Sequence, residues 1–116
     1  MRHRVNKAIL SKMKGPREAL LRNLATSVIL YEKVKTTKAR AKFVRPLVEK
    51  AITVGKTKSV NSVRTLNGMF MVKNAVKKLV EELGPKYKDR KGGYLRITPL
   101  GRRVGDAAEM VQIELV

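Results

Sequence analysis

The 116-residue sequence contains no cysteine, no tryptophan, one histidine and only nine acidic residues. Without cysteine, the chain forms no disulfide, thiolate nucleophile or cysteine-ligated metal site. The single histidine, His3, lies close to the N-terminus. It is the only side chain that could serve a serine as the base of a catalytic triad, and its terminal position argues against that role. We therefore expect no catalytic residue, no cofactor, no metal site and no small-molecule substrate.

Long apolar runs are also missing from the sequence. A membrane-spanning helix needs about 18 consecutive apolar residues, and no stretch of this chain approaches that length. The apolar stretch Ala8-Ile9-Leu10 is too short for the core of a secretory signal. We therefore expect no membrane partner.

Positive charge is what the sequence has in excess. Lysine and arginine number 27, and the formal net charge is +18. Solubility alone needs a net charge of only about 2–8 in a small domain. The hydrophobic fraction of 43% is that of a folded domain rather than a disordered basic tail. The excess therefore indicates a polyanionic partner, with nucleic acid favoured over an anionic lipid surface.

The N-terminal 15 residues form a basic arm that contains no acidic residue. Its basic side chains are Arg2, Arg4, Lys7, Lys12 and Lys14. The arm ends at Gly15-Pro16, where proline is well placed to begin a helix. Residues 16–116 are predicted to form a single globular domain.

Apolar residues recur at helical spacing in four segments. The predicted helices span residues 16–31, 38–54, 60–67 and 72–83. Thr36-Thr37 offers a hydroxyl cap for the second helix, and Pro46 is predicted to kink that helix rather than divide it. Gly68 and Gly84-Pro85 are predicted to end the third and fourth helices.

Three segments alternate apolar and polar residues with the period of a strand. The predicted strands are residues 32–36, 94–98 and 110–116, with Val34 facing inward. The last two are expected to pair antiparallel across a link of about a dozen residues, 99–109, with the first strand beside one of them. The predicted fold is α+β, with about four helices on one face of a small three-stranded sheet, either mixed or antiparallel.

The basic residues are grouped along the chain. One group lies in the arm and first helix, a second near residues 33–45 and a third near 86–103. Separated groups predict a surface that contacts phosphate at several places. Tyr87 and Tyr94 are open to two interpretations, base stacking or core packing. Polar residues in the predicted helix 60–67 leave a DNA-binding or nucleoid-associated protein as the alternative, but basic arms and glycine-bearing loops favour folded RNA.

Several short motifs follow one another along the chain. They are Met1-Arg2-His3-Arg4, Arg17-x-Ala19-Leu20-x-Arg22-Asn23-Leu24, Thr36-Thr37, Glu82-Leu83-Gly84-Pro85-Lys86-Tyr87, Arg90-x-Gly92-Gly93-Tyr94-x-Arg96-Ile97 and the C-terminal Ile113-Glu114-Leu115-Val116. In this order and spacing they resemble the bacterial-type L17 family of large-subunit ribosomal proteins. The resemblance covers essentially the whole chain.

Three positions depart from the family pattern. Gly15-Pro16 stands where the family usually has serine and histidine, and Pro46 stands at a usually basic position. Met69-Phe70-Met71 replaces a polar connection between helices. This apolar segment is expected either to pack locally or to meet a neighbouring protein.

The resemblance implies a structural component of the large ribosomal subunit that binds its rRNA, contacts neighbouring ribosomal proteins and performs no chemistry. It implies a cytoplasmic ribosome rather than an organellar one, and no obligate homo-oligomer. Charge and resemblance together predict a set of RNA-binding residues. These are Arg2, His3, Arg4, Lys7, Lys12, Lys14, Arg17, Arg22, Asn23, Thr36, Thr37, Lys38, Lys42, Arg45, Lys86, Arg90, Lys91, Gly92, Gly93, Tyr94, Arg96, Arg102 and Arg103.

Overall fold

A computed structural model of the protein describes residues 14–116 and follows the predicted order of elements. The helical elements are α1 (Lys14–Tyr31), α2 (Lys38–Gly55), α3 (Val60–Met69), α4 (Lys73–Lys78), a π-helical turn (Leu79–Leu83) and the short α5 (Gly84–Lys86). The strands are β1 (Lys33–Thr37), β2 (Leu95–Arg102) and β3 (Glu109–Leu115). The predicted α+β class is confirmed.

The three strands form one antiparallel sheet in which β3 lies between β1 and β2. The antiparallel alternative is therefore correct, and the mixed one is not. Val34 of β1, Ile113 of β3 and Ile97 of β2 occupy one cross-strand row. Residues directly opposite each other in antiparallel strands point to the same face, so this row marks the face that packs on the helices.

The link predicted between the last two strands is too long. Strand β2 continues to Arg102, so only residues 103–108 connect it to β3. A register shift between Pro99 and Gly101 interrupts the pairing, and Gly101 has a φ of 111°. A bulge breaks the strict alternation of side chains, and proline lacks the N–H of a ladder bond. Because of these features, the alternation of the sequence did not predict the second half of β2.

The first two helices agree closely with the prediction. Helix α1 begins two residues early, with Pro16 in a first turn whose N–H groups have no helical partners. Helix α2 continues through Pro46 instead of dividing there, although proline removes one backbone bond; the predicted kink at Pro46 stays a prediction. The Oγ1 of Thr37 accepts a hydrogen bond from the Arg40 N–H at 3.4 Å, which confirms the predicted cap.

The predictions that Gly68 ends the third helix and that Gly84-Pro85 ends the fourth are wrong. Gly68 lies inside α3, and the helical path after α4 runs through Gly84-Pro85 to Lys86. Gly84 has another role, because a Cβ there would lie 2.4 Å from the carbonyl oxygen of Gly55. The end of α2 and the segment after the π-helical turn therefore touch backbone to backbone, and only glycine allows that approach.

The core lies between the sheet and the helices. Helices α1 and α2 pack on the sheet, while α3 and α4 pack on α2 and α1. The largest fully buried side chains are Tyr94, Phe70, Ile29, Ile52, Leu66, Leu79, Leu83 and Ile113. Of the apolar segment 69–71, Phe70 packs in this core and Met71 is exposed. Local packing therefore accounts for Phe70 but not for Met71.

Candidate nucleic-acid interface

The surface of the protein carries far more positive charge than its own acids neutralise. Residues 14–116 contain 23 of the 27 basic residues and all nine acidic ones. Five of those acids form ion pairs, namely Glu32, Glu49, Asp106, Glu109 and Glu114. Most lysines and arginines therefore have no carboxylate partner in this range. The places where they collect are the candidates for phosphate contact.

One collection lies at the start of α2, beside the β2–β3 hairpin. Lys38 and Lys42 of α2 line a cleft with Arg102 of β2 and Glu109 of β3. The Glu109 carboxylate lies 3.6 Å from the Lys38 Nζ and 3.8 Å from an Arg102 Nη atom. The fold thus joins basic residues from the second and third groups of the sequence. One carboxylate faces two cations there, and Lys42 is exposed beside them.

A second collection lies on the outer face of the sheet, opposite the helices. Lys33, Glu114 and Arg96 form one cross-strand row. The next row consists of Lys35, Gln112 and Thr98. Both lysines, Arg96 and Thr98 are exposed. Arg96 was a predicted site residue; the two lysines and the two neutral polar residues were not.

The third collection is the loop 87–93, which precedes β2. Its backbone is held by the Arg90 carbonyl oxygen, which accepts hydrogen bonds from the Lys56 ammonium and from the Tyr94 hydroxyl at 3.2 Å. Gly93 has a φ of 62°, which favours glycine. Lys88 and Lys91 are exposed, and no carboxylate within residues 14–116 pairs with either.

Tyr94 itself is not on the surface. Its side chain is fully buried, its ring centroid lies 5.1 Å from that of Tyr87, and its hydroxyl lies 3.3 Å from the Thr53 hydroxyl. Burial raises the pKa of the Tyr94 phenol, but hydrogen bonds from Lys56 and Thr53 outweigh burial, so its pKa falls below the ordinary value. The core interpretation holds for both tyrosines, and the structure gives Tyr94 no face on which a base could stack. Thr36 is similarly buried.

Arg103 is committed to the hairpin turn. Its Nε donates to the Asp106 carboxylate at 3.1 Å, and an Nη atom donates to the other oxygen. The same carboxylate accepts the Ala108 N–H at 3.2 Å. The Arg103 guanidinium, followed by the Ala108 N–H, lowers the pKa of Asp106 to about 2. The Arg103 guanidinium, which the sequence predicted to bind RNA phosphate, thus closes the turn by bonding Asp106.

Gly92 belongs to the loop 87–93, and the other remaining predicted residues lie outside the three collections. Arg17 and Arg22 are half-buried on α1, and Asn23 is exposed beside them. Arg22 lines a groove with Leu21, Leu47 and Met69, whereas Arg45 pairs with Glu49 one turn along α2. Lys14, Lys86 and Gly92 are exposed. The predicted residues Arg2, His3, Arg4, Lys7 and Lys12 lie outside the described residues.

The family profile described as "Ribosomal protein L17" matches residues 20–116. The chain belongs to this family. It is 48% identical over 116 residues to the large ribosomal subunit protein bL17 of Solibacter usitatus, covering 100% of this chain and 77% of that protein.

Other L17-family relatives agree with this assignment. The bL17 protein of Desulfitobacterium hafniense is 48% identical over 107 residues, covering 92% of this chain and 96% of its own length. The bL17 protein of Pelobacter propionicus is 44% identical over 116 residues, covering 100% of this chain and 91% of its own length.

The L17-like motifs divide in the structure into packing and exposed residues. Leu83, Gly84, Tyr87 and Tyr94 are buried, so their place in the motifs is explained by the core. Arg90 and Arg96 are exposed; the Arg90 Nε donates to the Gly92 carbonyl oxygen at 3.3 Å, and an Arg96 Nη atom lies 4.0 Å from the Glu114 carboxylate. Lys33 and Lys35 belong to the basic group predicted near residues 33–45 but were absent from the predicted RNA-binding residues. Their alternation with Val34, which we expected to face inward, already placed both lysines on the outer face.

Other kinds of site are not found in the described part of the chain. Between residues 14 and 116, no group of three histidine or acidic side chains is arranged to hold a metal ion. No helix in that range is long and apolar enough to cross a bilayer.

Proposed function

We propose that this chain is a structural component of the bacterial large ribosomal subunit, that it binds large-subunit rRNA, and that it catalyses no reaction. The observation that carries the proposal is a basic surface, largely unneutralised by its own acids, on a chain of the L17 family. The name of the relatives, large ribosomal subunit protein bL17, supports the assignment to that subunit.

The proposed mechanism is electrostatic and geometric. Lysine and arginine side chains that neutralise RNA phosphates release condensed counterions, which drives association. The start of α2, the outer sheet face and the loop 87–93 would each contact a different stretch of backbone. A folded domain that holds several stretches at once keeps them in a fixed arrangement. The basic N-terminal residues Arg2 and Arg4 belong to the same proposal, as do neighbouring ribosomal proteins as partners and the cytoplasmic ribosome as the location.

Sedimentation tests the proposal in the cell. Lysate of the source organism is run through a sucrose gradient, with and without RNase treatment, and this chain is located by mass spectrometry. We expect it in the large-subunit fractions at one copy per subunit, and we expect RNase to release it. Recovery at the top of the untreated gradient, or with chromosomal DNA, would contradict the proposal.

Binding in solution gives an independent test. We expect the purified full chain to bind large-subunit rRNA with an affinity that falls steeply with salt. If about eight phosphates are neutralised, the logarithm of the affinity falls with the logarithm of the salt concentration at a slope of about −6 to −7. A slope near zero would show that phosphate contacts do not carry the binding.

A further inference from the structure

The outer face of the sheet has a layout that none of the family motifs describes. Its positive side chains lie on the two edge strands, with Lys33 and Lys35 on β1 and Arg96 on β2. The central strand β3 contributes no positive charge to these rows, only Gln112 and Glu114. Two cationic borders therefore enclose a central strip of hydrogen-bonding groups.

We propose that this face, here called the sheet face (Lys33, Lys35, Arg96, Thr98, Gln112 and Glu114), binds A-form duplex RNA across its minor groove. The inference rests on the proposed function and deepens it by naming the RNA structure that is recognised. The borders contact the phosphates of the two strands, and the central strip contacts the groove between them.

The width of the sheet face excludes two narrow grooves and fits the minor groove of A-form RNA. Adjacent strands lie about 4.8 Å apart, so β1 and β2 lie about 10 Å apart. The minor groove of B-form DNA is only about 6 Å wide, and the major groove of A-form RNA is deep and narrow. The minor groove of A-form RNA is wide and shallow, so a flat three-stranded face can lie against it.

The chemistry of the central strip matches the same groove. A-form RNA presents 2′-hydroxyl groups along its minor groove, and each can donate and accept a hydrogen bond. The Gln112 amide of the central strand and the Thr98 hydroxyl beside it on β2 can do the same. Glu114 lies 4.0 Å from an Arg96 Nη atom and is only 22% exposed. A carboxylate suits the centre of a groove, where it accepts from hydroxyl or guanine amino groups, better than the phosphate borders.

Single-stranded RNA fits this face poorly. Proteins that bind single strands without sequence preference stack bases on exposed aromatic rings. The six residues of the sheet face include no aromatic side chain. The ring of Tyr94, which directly precedes β2, is fully buried, and the exposed ring of Tyr31 ends α1 outside these six residues.

The test removes hydrogen-bonding groups without changing charge. The variant Thr98→Val with Gln112→Ala is compared with the wild-type chain for binding to a duplex RNA of about 20 base pairs, long enough for a typical duplex-binding domain. A duplex DNA and a single-stranded RNA of the same sequence are measured at the same salt concentration. The wild-type chain should prefer the duplex RNA to both.

In the variant, we expect the affinity for duplex RNA to fall about tenfold, as two lost hydrogen bonds predict, and the affinity for duplex DNA to stay unchanged. The matched control is Thr65→Val with Asn67→Ala on α3, where both residues are exposed. This control should bind all three ligands like the wild type. Thermal unfolding of each protein verifies that it folds.

A second variant tests the borders of the sheet face. Lys33→Gln with Lys35→Gln should weaken binding to RNA and DNA alike and make the salt slope shallower by about two. The sheet-face inference is wrong if the wild type shows no preference for duplex RNA. It is also wrong if the variant Thr98→Val with Gln112→Ala keeps that preference. Binding to large-subunit rRNA, measured in parallel, separates this outcome from a failure of the proposed function.

Discussion

Two segments that carry basic residues flank strand β2, and the partners of those residues differ. In the turn 103–108, the Arg103 guanidinium is bound to Asp106 within the turn itself. In the loop 87–93, Lys56 and Tyr94 fix the backbone from outside by bonding the Arg90 carbonyl, and the Arg90 Nε donates to the Gly92 carbonyl oxygen at 3.3 Å within the loop. The lysines of the loop therefore keep their charges free.

Structural charge and charge free to bind RNA differ in what holds their segment in place. A basic side chain is available to a polyanion when other groups hold its segment in place. We expect it to contribute less to binding when its own charge closes the turn. Both segments contain glycine and one aspartate, but the turn 103–108 has one basic residue and the loop 87–93 has three. What separates them is the partner of each cation.

The largest expected effect comes from removing the group that holds the loop. Tyr94→Ala should lower the free energy of unfolding by about 3–5 kcal/mol, the usual cost of deleting a buried aromatic ring. Tyr94→Phe keeps the ring and loses only the hydroxyl, so it should cost about 1 kcal/mol. Denaturant unfolding measures both. Equal costs in the two variants would mean that the ring does not pack as the structure shows.

The next effect concerns the free charges of the loop. Lys88→Gln with Lys91→Gln should weaken binding to large-subunit rRNA about 30-fold at 0.15 M salt, if each lysine neutralises one phosphate. The thermal unfolding temperature should stay the same, because neither lysine has an ion-pair partner in the described range. Affinity is measured by filter binding over a range of salt concentrations.

The matched control for this pair is Lys73→Gln with Lys77→Gln. It removes the same charge from the exposed side of α4. This helix packs on α1 and α3 rather than on the sheet. We expect a much smaller loss of affinity. Equal losses from the two pairs would show that net charge, rather than the position of the loop, determines binding.

A smaller effect is expected in the turn. Arg103→Gln should increase amide hydrogen exchange at Ala107 and Ala108 several-fold, since the turn loses both bonds from the guanidinium. Arg103→Lys keeps the charge but loses the two-pronged geometry. It should loosen the turn similarly while leaving rRNA affinity near the wild-type value. A large loss of affinity in Arg103→Lys would place the guanidinium on RNA instead of in the turn.

The sequence predicted the elements better than their ends. Helical spacing and strand alternation identified the four helical regions and three strands because burial imposes both periods. The helix end predicted at Gly84 was wrong because glycine is found both at helix ends and at close backbone contacts, such as that with Gly55. The second half of β2 was missed because the bulge near Gly101 breaks the alternation.

For the candidate site, the sequence identified the residue types but not their partners. The joining of Lys38, Lys42 and Arg102 in one cleft depends on the sheet order, which no local pattern encodes. The commitment of Arg103 depends on the conformation of one turn. Tyr94 could be assigned to the core only once its neighbours were known.

The smallest predicted effect is a titration that isolates the turn from the loop. The Arg103 guanidinium and the Ala108 N–H hold the pKa of Asp106 at about 2, below its ordinary 3.8. Because the folded-state pKa is the lower one, the contribution of Asp106 to stability is fully present above about pH 4. It is lost as the pH falls through about 2.

Carboxyl chemical shifts followed by NMR should give this low pKa in the wild type and a value near the ordinary one in Arg103→Gln. The loop variant Lys88→Gln with Lys91→Gln should leave the Asp106 titration unchanged, because the two segments hold their charges independently. A shift of the Asp106 pKa in the loop variant would contradict that independence.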